Sequence, residues 1–296
     1  MTIKLSDLGG GGGGGSLIGD IKPLNVAETD GLFVQDNKSW LRTGVVSTDL
    51  SEYPDAKKGA GLYTGTNFSV GSQETSPTGI TWDGTHLWVV GSRNAAYKYT
   101  AAGTYTGTSF SVSGQGTNST GITWDGTHFW VVLDGSNAVY KYTSAGVYTG
   151  TSFSVAGQET SPTGITWDGT HLWVVGNVSG TVFKYTPTGT YTGTSFSALG
   201  QDTAAQGITW SGTHFWVVGA TTDKVYEYTP TGTYTGTSFS VGSQDAIPRD
   251  ITSDGTNFLV VGDNSNAVYK YTGANSFVGV ATASTEYSVP TYVRIK

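Results

Sequence analysis

The stretch Gly79-Ile80-Thr81-Trp82-Asp83-Gly84-Thr85-His86 decides the fold, because the chain repeats it. Close copies occupy residues 121–128, 164–171 and 207–214, a weaker copy occupies residues 250–257, and the start-to-start spacings are 42, 43, 43 and 43. A Tyr-Lys-Tyr-Thr block and a Tyr-Thr-Gly-Thr-Ser-Phe block recur with the same period. Repeats of this length form one supersecondary unit each and bury their apolar faces against their neighbours.

Each repeat reads as four short strands, named A to D in chain order. Strand A is Gly-Ile-Thr-Trp, and the Asp-Gly that follows favours a tight hairpin turn that requires positive φ. Strand B is His-Leu/Phe-Trp-Val-Val, strand C is the Tyr-Lys-Tyr block, and strand D is the Tyr-Thr-Gly-Thr-Ser-Phe block. Four short strands per repeat are typical of a propeller blade. The sequence therefore predicts an all-β protein, a five-bladed β-propeller of ~43-residue repeats.

The repeat count also predicts how the ring closes. Five A–B–C sets end at residue 272 without a good D copy, whereas an extra D copy, residues 63–70, precedes the first A strand. We expect residues 63–70 to form the outer strand of the last blade. The paired tryptophans of strands A and B are predicted core residues: Trp82/Trp88, Trp124/Trp130, Trp167/Trp173 and Trp210/Trp216.

Composition excludes several functional classes. The formal net charge of −7 disfavours binding to nucleic acid, which usually needs a basic patch, and to an anionic membrane surface. The chain has no cysteine, so disulfides and thiolate metal sites are excluded. No stretch reaches the ~18 uninterrupted apolar residues that predict a membrane helix. Residues 1–8 lack the apolar region of a secretion signal, and we expect no signal peptide and no membrane insertion.

Residues 77–103 resemble the NHL-type propeller repeat. The resemblance lies in the opening Pro77-Thr78-Gly79-Ile80, in Asp83 before the A–B turn and in Asn94 before strand C. It extends over residues 63–272 and implies the propeller fold. It leaves the function open, since such propellers serve both as enzymes and as binding platforms.

The two ends of the chain carry no repeat. Residues 9–15 are a glycine tract, which behaves as a flexible linker, and residues 31–46 read as a β-hairpin with Asp36-Asn37 at its turn. Three parts are predicted: a glycine-rich leader with a hairpin attachment segment (1–62), the propeller (63–272) and a strand-like C-terminal tail (273–296). The two end regions together would form a small β-rich attachment region.

The end segments resemble parts of bacteriophage virion proteins. The residues concerned are Trp-Leu-Arg-Thr-Gly at 40–44, Tyr-Pro-Asp-Ala at 53–56 and the terminal Tyr-Val-Arg-Ile-Lys at 292–296. The resemblance implies a virion structural protein of the tail or fibre, made in the host cytoplasm. A symmetric homo-oligomer is expected, because most such parts form closed rings. The candidate assembly residues are Phe33, Trp40, Leu41, Arg42, Tyr53, Tyr292 and Arg294.

Variation among the repeats points to one face of the propeller. The strands hardly change, whereas the B–C and D–A loops differ from blade to blade, and both loop types open on the same face. Loops on a rigid scaffold are where recognition usually resides; the alternative is that their polar residues only supply turn chemistry. The candidate binding residues are Gln73, Glu74, Arg93, Asn94, Gln115, Asp134, Asn137, Gln158, Glu159, Asn177, Gln201, Asp202, Asp223, Lys224, Gln244, Asp245, Asp263 and Asn266.

Catalytic chemistry is not predicted. The four histidines share one repeat position, so the blade rotation separates them, and no second ligand stands beside them at a metal-binding spacing. Four of the five blades are near copies, whereas a catalytic centre needs an acid and a base in unlike surroundings. We therefore expect no catalytic residue, no metal and no cofactor.

Three functions follow, in order of preference. The first is a non-enzymatic phage virion protein of the tail or fibre that displays the propeller for host contact or decoration. Its partners would be itself, other virion proteins and a host surface glycan or protein. The second is a carbohydrate-binding, lectin-like propeller. The third is a propeller hydrolase or lyase, which the symmetry of the blades disfavours.

Overall fold

The computed structural model describes residues 60–273 and two short strands nearer the N-terminus, β1 (Phe33–Gln35) and β2 (Lys38–Trp40). β1 and β2 pair antiparallel with Gln35 opposite Lys38, which agrees with the predicted hairpin; the predicted turn residues, Asp36 and Asn37, lie outside the described residues. This hairpin lies outside the compact unit that contains the propeller. The other candidate assembly residues lie outside the described residues: Leu41, Arg42, Tyr53, Tyr292 and Arg294.

The propeller consists of five sheets of four antiparallel strands, as predicted. Blade 1 contains β4 (Pro77–Trp82), β5 (His86–Gly91), β6 (Ala95–Thr100) and β7 (Tyr105–Ser111). Blade 2 contains β8 (Ser119–Trp124), β9 (His128–Leu133), β10 (Ala138–Thr143) and β11 (Tyr148–Ser154), with a 3₁₀ turn at Asp134–Ser136. Blade 3 contains β12 (Pro162–Trp167), β13 (Leu172–Gly176), β14 (Thr181–Tyr185) and β15 (Tyr191–Ser197). Blade 4 contains β16 (Ala205–Trp210), β17 (Phe215–Gly219), β18 (Lys224–Tyr228) and β19 (Tyr234–Ser240).

Blade 5 closes the ring by the predicted strand exchange. It contains β20 (Pro248–Ser253), β21 (Asn257–Gly262), β22 (Ala267–Thr272) and, as its outer strand, β3 (Tyr63–Ser69). Beyond the ladder, the Gly61 backbone N–H donates to Thr272 O at 2.8 Å, and the Thr272 N–H donates to Leu62 O at 2.9 Å. The closing strand thus pairs the edge that the last blade would otherwise expose, and an unpaired edge is a site of aggregation.

The strand directions define two faces of the disc. The first strand of each blade contacts the first strands of both neighbouring blades and so surrounds the axis. The A–B and C–D turns lie on one face, here named the turn face. The loop face is formed by the D–A loops (70–76, 112–118, 155–161, 198–204 and 241–247) and the B–C loops (92–94, 134–137, 177–180, 220–223 and 263–266). No helix among the described residues is long and apolar enough to span a membrane.

Apolar side chains of neighbouring blades form the core. Trp88 of blade 1 packs on Phe129 of blade 2, with ring centroids 4.9 Å apart, and Trp173 of blade 3 packs on Phe215 of blade 4 at 4.7 Å. The core prediction is confirmed for the strand B tryptophans, which are buried: Trp88, Trp130, Trp173 and Trp216. The strand A tryptophans are half-buried at the margin of these clusters: Trp82, Trp124, Trp167 and Trp210.

The A–B turn is held by its aspartate, as blade 1 shows. Asp83 Oδ1 accepts from the backbone N–H groups of Thr85 and His86 at 2.8 and 2.7 Å, and Oδ2 accepts from Trp88 Nε1 at 2.7 Å. Burial alone would raise the pKa of Asp83, but these hydrogen bonds outweigh it and hold the pKa below its usual value. Blades 2 and 3 repeat this arrangement with Asp125 and Asp168. Because blade 4 has Ser211 instead, Trp216 Nε1 is left without a partner among the described residues.

Candidate binding site on the propeller axis

The acidic residues of the D–A loops are structural supports within the loop face. Glu74 Oε1 accepts from Ser76 N at 3.1 Å and from Ser92 Oγ at 2.8 Å, and Oε2 accepts from Arg93 N at 3.0 Å. Glu74 therefore ties the D–A loop to the B–C loop of blade 1. The equivalent acids do the same in their blades, and all four are at most 4% exposed: Glu74, Glu159, Asp202 and Asp245. These buried carboxylates are occupied by hydrogen bonds within the protein.

Blade 2 lacks this acid, and its neighbour has changed to match. At Gly176 of blade 3 a Cβ atom would lie 2.2 Å from the carboxyl carbon of Glu159, so the acid requires a glycine there. Blade 2 has Gly116 in place of the acid and Leu133 in place of the glycine, and the Leu133 side chain occupies the space beside Gly116. In blade 2 the large side chain is therefore on strand B and the glycine is in the D–A loop, the opposite of the other blades.

The candidate glutamines are also engaged inside the blades. In blade 2 the Tyr142 hydroxyl donates to Gln115 Oε1 at 2.8 Å, and in blade 4 the Tyr228 hydroxyl donates to Gln201 Oε1 at 3.0 Å. These tyrosines are buried in strand C, so each glutamine provides the acceptor that a buried hydroxyl needs. The remaining blades use the same pair, with Gln73, Gln158 and Gln244 as acceptors.

The B–C loops end at a left-handed backbone position in every blade. The residues there are Asn94 (φ 53°), Asn137 (φ 48°), Gly180 (φ 55°), Asp223 (φ 53°) and Asn266 (φ 51°). Apart from glycine, asparagine and aspartate are the residues that most readily adopt this conformation. Asp223 differs from its asparagine equivalents because its Oδ1 is buried without a partner among the described residues. Burial raises the pKa of Asp223, and the nearby carboxylates of Asp202 and Asp245 raise it further.

The other candidates fall into two groups. Arg93 and Lys224 are exposed on the loop face. Asp134, Asn177 and Asp263 are half-buried; the first two line a cavity on the propeller axis, and Asp263 binds an arginine that lines it. Whether any of the eighteen candidates binds a partner stays a prediction.

The axis is surrounded by five backbone positions that approach one another closely. Four are glycines (Gly79, Gly121, Gly164 and Gly207), and the fifth is Asp250. A Cβ atom on Gly79 would lie 2.8 Å from Gly121 Cα, and one on Gly121 would lie 2.9 Å from Gly164 Cα. Such distances leave no room for a side chain, so these inner strands require glycine.

Asp250 places the single side chain of this ring among the inner strands. It is fully buried, its Oδ2 accepts from Ile80 N of blade 1 at 2.9 Å, and its Oδ1 accepts from Ile208 N of blade 4 at 3.2 Å. Burial raises the pKa of Asp250 well above its usual value, and the backbone hydrogen bonds offset that only in part. The carboxyl group thus joins the two blades on either side of its own.

A cavity of about 230 Å³ lies next to this ring, toward the loop face. The residue that precedes each ring position lines it, and loop residues complete its wall. The ten lining residues all have polar side chains: Ser76, Thr78, Asn118, Thr120, Asp134, Ser161, Thr163, Asn177, Gln206 and Arg249. The axial cavity is the candidate binding site.

The threonines on one side of the axial cavity are committed to neighbouring blades. Thr78 Oγ1 donates to Ser119 O at 2.6 Å, and Thr120 Oγ1 donates to Pro162 O at 2.8 Å. Thr163 Oγ1 donates to Ala205 O at 3.2 Å. Since a hydroxyl has one proton, these three oxygens can only accept a hydrogen bond from a molecule in the cavity.

Blades 4 and 5 supply a different chemistry on the other side of the axial cavity. Gln206 is 8% exposed, no hydrogen bond joins its carboxamide to another described residue, and its polar atoms are open to the cavity. Arg249 donates from Nε and Nη2 to Asp263 Oδ2, at 3.3 and 2.8 Å, which leaves Nη1 outside this ion pair. These are amide and guanidinium donors facing three acceptor oxygens.

The inner-strand residues that define this site are not among the residues predicted from the sequence. The signal was present in the openings of the five A strands, which read Pro-Thr-Gly-Ile, Ser-Thr-Gly-Ile, Pro-Thr-Gly-Ile, Ala-Gln-Gly-Ile and Pro-Arg-Asp-Ile. Aligned in this way, they show that only blades 4 and 5 depart from threonine and that only blade 5 departs from glycine. Residues 250–257 read as a weaker copy of the repeat, and that pattern alone does not mark Arg249 and Asp250 as substitutions at the axis.

Comparison with known proteins supports the fold alone. No protein-family model matches the chain, and no curated protein matches it. Glutaminyl cyclase from Myxococcus xanthus matches with a TM-score of 0.57 at 11% identity, over 69% of this chain and 93% of that one. Virginiamycin B lyase from Staphylococcus aureus matches with a TM-score of 0.46 at 14% identity, over 70% of this chain and 98% of that one. The chain is an all-β, five-bladed β-propeller, as predicted.

Proposed function

We propose that this chain is a non-enzymatic structural protein of a phage tail or fibre and that it displays its propeller for contact with a host surface. The phage context rests on the resemblance of residues 40–44, 53–56 and 292–296 to virion proteins. The observation that carries the display role is the place where the described chain enters and leaves the disc.

Both of these points lie together on the turn face. The chain enters at the start of β3 and leaves at the end of β22, where Gly61 and Leu62 hydrogen-bond to Thr272. Residues before 60 and after 273 therefore connect to a single corner of blade 5. The described chain thus enters and leaves the disc on the face opposite the B–C and D–A loops, which suits a domain attached on one side and presented on the other.

Binding by such a face would depend on repetition. A neutral hydrogen bond exchanged with water contributes only about 0.5–1.5 kcal/mol net, so a single polar loop makes a weak site. Copies in a homo-oligomer can raise the avidity by roughly 10²–10⁴ without new contacts. We therefore expect the protein to assemble with itself and with other virion proteins.

The absence of cysteine from the sequence gives a direct test. Arg93→Cys places one thiol on the exposed loop face, and Thr127→Cys places one on the turn face as the matched control. Both full-length variants would be incorporated into particles of the source phage, labelled with maleimide-gold and imaged by electron microscopy. We expect gold on the tail or fibre, with the Arg93→Cys label farther from the particle axis. Particles that carry no chain, or that show gold only on the capsid, would refute the proposal.

A further inference from the structure

We propose that the axial cavity binds one neutral, hydroxyl-rich ring, such as a single hexose unit of a surface saccharide. This rests on the proposed function only in taking the loop face as the recognition face. The inference is carried by the arrangement of hydrogen-bonding groups in the cavity, by its charge and by its size.

The Gln206 carboxamide is available to an occupant of the cavity. Its side chain is more than nine-tenths buried, yet no hydrogen bond joins it to another described residue. It lines the axial cavity and its polar atoms are open there, so solvent or a ligand in the cavity supplies the hydrogen bonds that a polar side chain needs. An amide both donates and accepts, which matches a hydroxyl group in either role.

The opposite wall requires donors from the ligand. The hydroxyl protons of Thr78, Thr120 and Thr163 are directed to backbone carbonyls of the next blade. Their oxygens therefore accept only, while Gln206 and Arg249 Nη1 donate from across the cavity. A polyol meets both walls, because each hydroxyl group donates one hydrogen bond and accepts others.

Charge argues against an anionic ligand, and the donors that line the cavity argue against a cationic one. The guanidinium of Arg249 is balanced by Asp263 at 2.8 Å, and the cavity has a further acid, Asp134. An anion would meet the unbalanced carboxylate of Asp134, and the whole chain carries −7. A cation would place no acceptor opposite the donors of Gln206 and Arg249. A neutral ligand avoids both mismatches.

The size of the axial cavity fits a single sugar ring. One water needs roughly 10–15 Å³ of cavity volume, so a cavity of about 230 Å³ has room for a small organic molecule in place of a cluster of waters. A hexose ring replaces such a cluster with its own oxygens and hydroxyl groups.

The test uses the isolated full-length chain and methyl α-D-glucoside, methyl α-D-galactoside and methyl α-D-mannoside as probes. Ligand-observed NMR titration would be run on the parent and on Gln206→Thr and Arg249→Thr, each of which introduces the residue that blades 1–3 have at that position. Ser243→Ala, an exposed change in a D–A loop of the same face that neither lines the cavity nor belongs to the candidate binding residues, is the control. We expect millimolar binding of at least one glycoside, a loss of roughly tenfold in each axial variant and no change in the control. A thermal melt would verify that each variant is folded.

Three results would overturn the inference. They are no glycoside binding at any accessible concentration, binding that both axial variants retain at full strength, and preferential binding of glucuronate, phosphate or methylammonium. Glycoside binding by a chain that labels no virion would instead refute the phage role and leave the axial site standing. Gold-labelled virions together with a protein that binds no glycoside would support the phage role and refute the axial site.

Discussion

Blades 1–3 and blades 4–5 share their strands and differ in the residues around the axis and at the A–B turn. In blades 1–3 every inner strand has threonine followed by glycine, and every A–B turn has an aspartate that binds a tryptophan. Blade 4 has Gln206 at the axis and Ser211 at the turn, and blade 5 has Arg249 and Asp250. The repeated contacts build the ring, and two of the departures, Gln206 and Arg249, line the cavity. In a protein made of copies, the residues that are not copied indicate where specificity resides.

The largest effect is expected from removing the closing strand, the contact that only blade 5 takes from a distant part of the chain. A deletion of residues 1–59 keeps β3 and should leave a folded propeller, whereas a deletion of residues 1–70 exposes the edge of β22 and removes the buried Val70. We expect the longer deletion to aggregate. Thermal melts with light scattering would measure both, and equal melting temperatures with equal solubility would contradict the closure described here.

The turn aspartates of blades 1–3 should contribute strongly. Asp168 accepts from Thr170 N, Thr170 Oγ1, His171 N and Trp173 Nε1, so Asp168→Ala should destabilise the protein by about 2–3 kcal/mol at neutral pH, since it strands a buried tryptophan donor. In blade 5 no tryptophan binds Asp254, and Asp254→Ala should cost less. Urea unfolding would measure both.

Acid should reduce this difference. Burial tends to raise the pKa of Asp168, but its hydrogen bonds outweigh burial and lower it. A lowered folded-state pKa contributes stability that is present above the unfolded-state value of about 4 and is lost as pH falls through the folded value. The cost of Asp168→Ala should therefore shrink below about pH 4. If the destabilisation caused by Asp168→Ala were the same at all pH values, it would come from lost packing and not from the carboxylate's hydrogen bonds.

Blade 4 can be converted toward blade 1. Trp216 Nε1 lacks a partner among the described residues, and Glu227 stands where the other blades have a lysine, which in blade 5 lies 3.5 Å from the turn aspartate. Ser211→Asp alone would bring two carboxylates together, whereas Ser211→Asp with Glu227→Lys should stabilise the protein by about 1–2 kcal/mol by supplying the missing acceptor. A double-mutant cycle in urea measures the coupling. A double variant no more stable than the parent would show that the indole already has a solvent partner.

The smallest effect is expected at Asp223, where three other blades have asparagine. Asp223→Asn should stabilise the protein by about 0.5–1 kcal/mol at neutral pH, because an amide replaces a carboxylate with a buried, unpartnered oxygen. The folded-state pKa is raised, so the parent gains stability as pH falls and the advantage of asparagine should fade in acid. Thermal unfolding at neutral and acidic pH would show the trend. If the stability gained by Asp223→Asn increased in acid, the pKa of Asp223 would be lowered and not raised by folding.

The sequence predicts the ring far better than the site. Period, turn chemistry and the displaced D strand predict five blades and their closure, because these depend on local patterns repeated five times. The candidate loop residues were chosen for polarity, yet Glu74 and Gln115 prove to be internal hydrogen-bond partners. Polarity does not reveal burial, and a loop that folds back on itself hides its carboxylates. The axial residues went unnoticed because convergence of Thr78, Gln206 and Arg249 depends on five strands meeting in space.

Asp250 has a consequence for the order of events during synthesis. Domains acquire structure as the chain emerges, N-terminal parts first, and blade 5 is the last blade to emerge. Its buried carboxyl group takes one hydrogen bond from blade 4 and one from blade 1, so both are available only when the newest blade has met the oldest. Before the ring closes, the Asp250 carboxylate lies at the edge of an incomplete ring and has only one of its two donors from other blades. In that state the carboxylate is more stable in water than buried. Both hydrogen bonds of Asp250 can form only in the complete ring, so they favour the closed five-bladed ring over a packed arc of four blades.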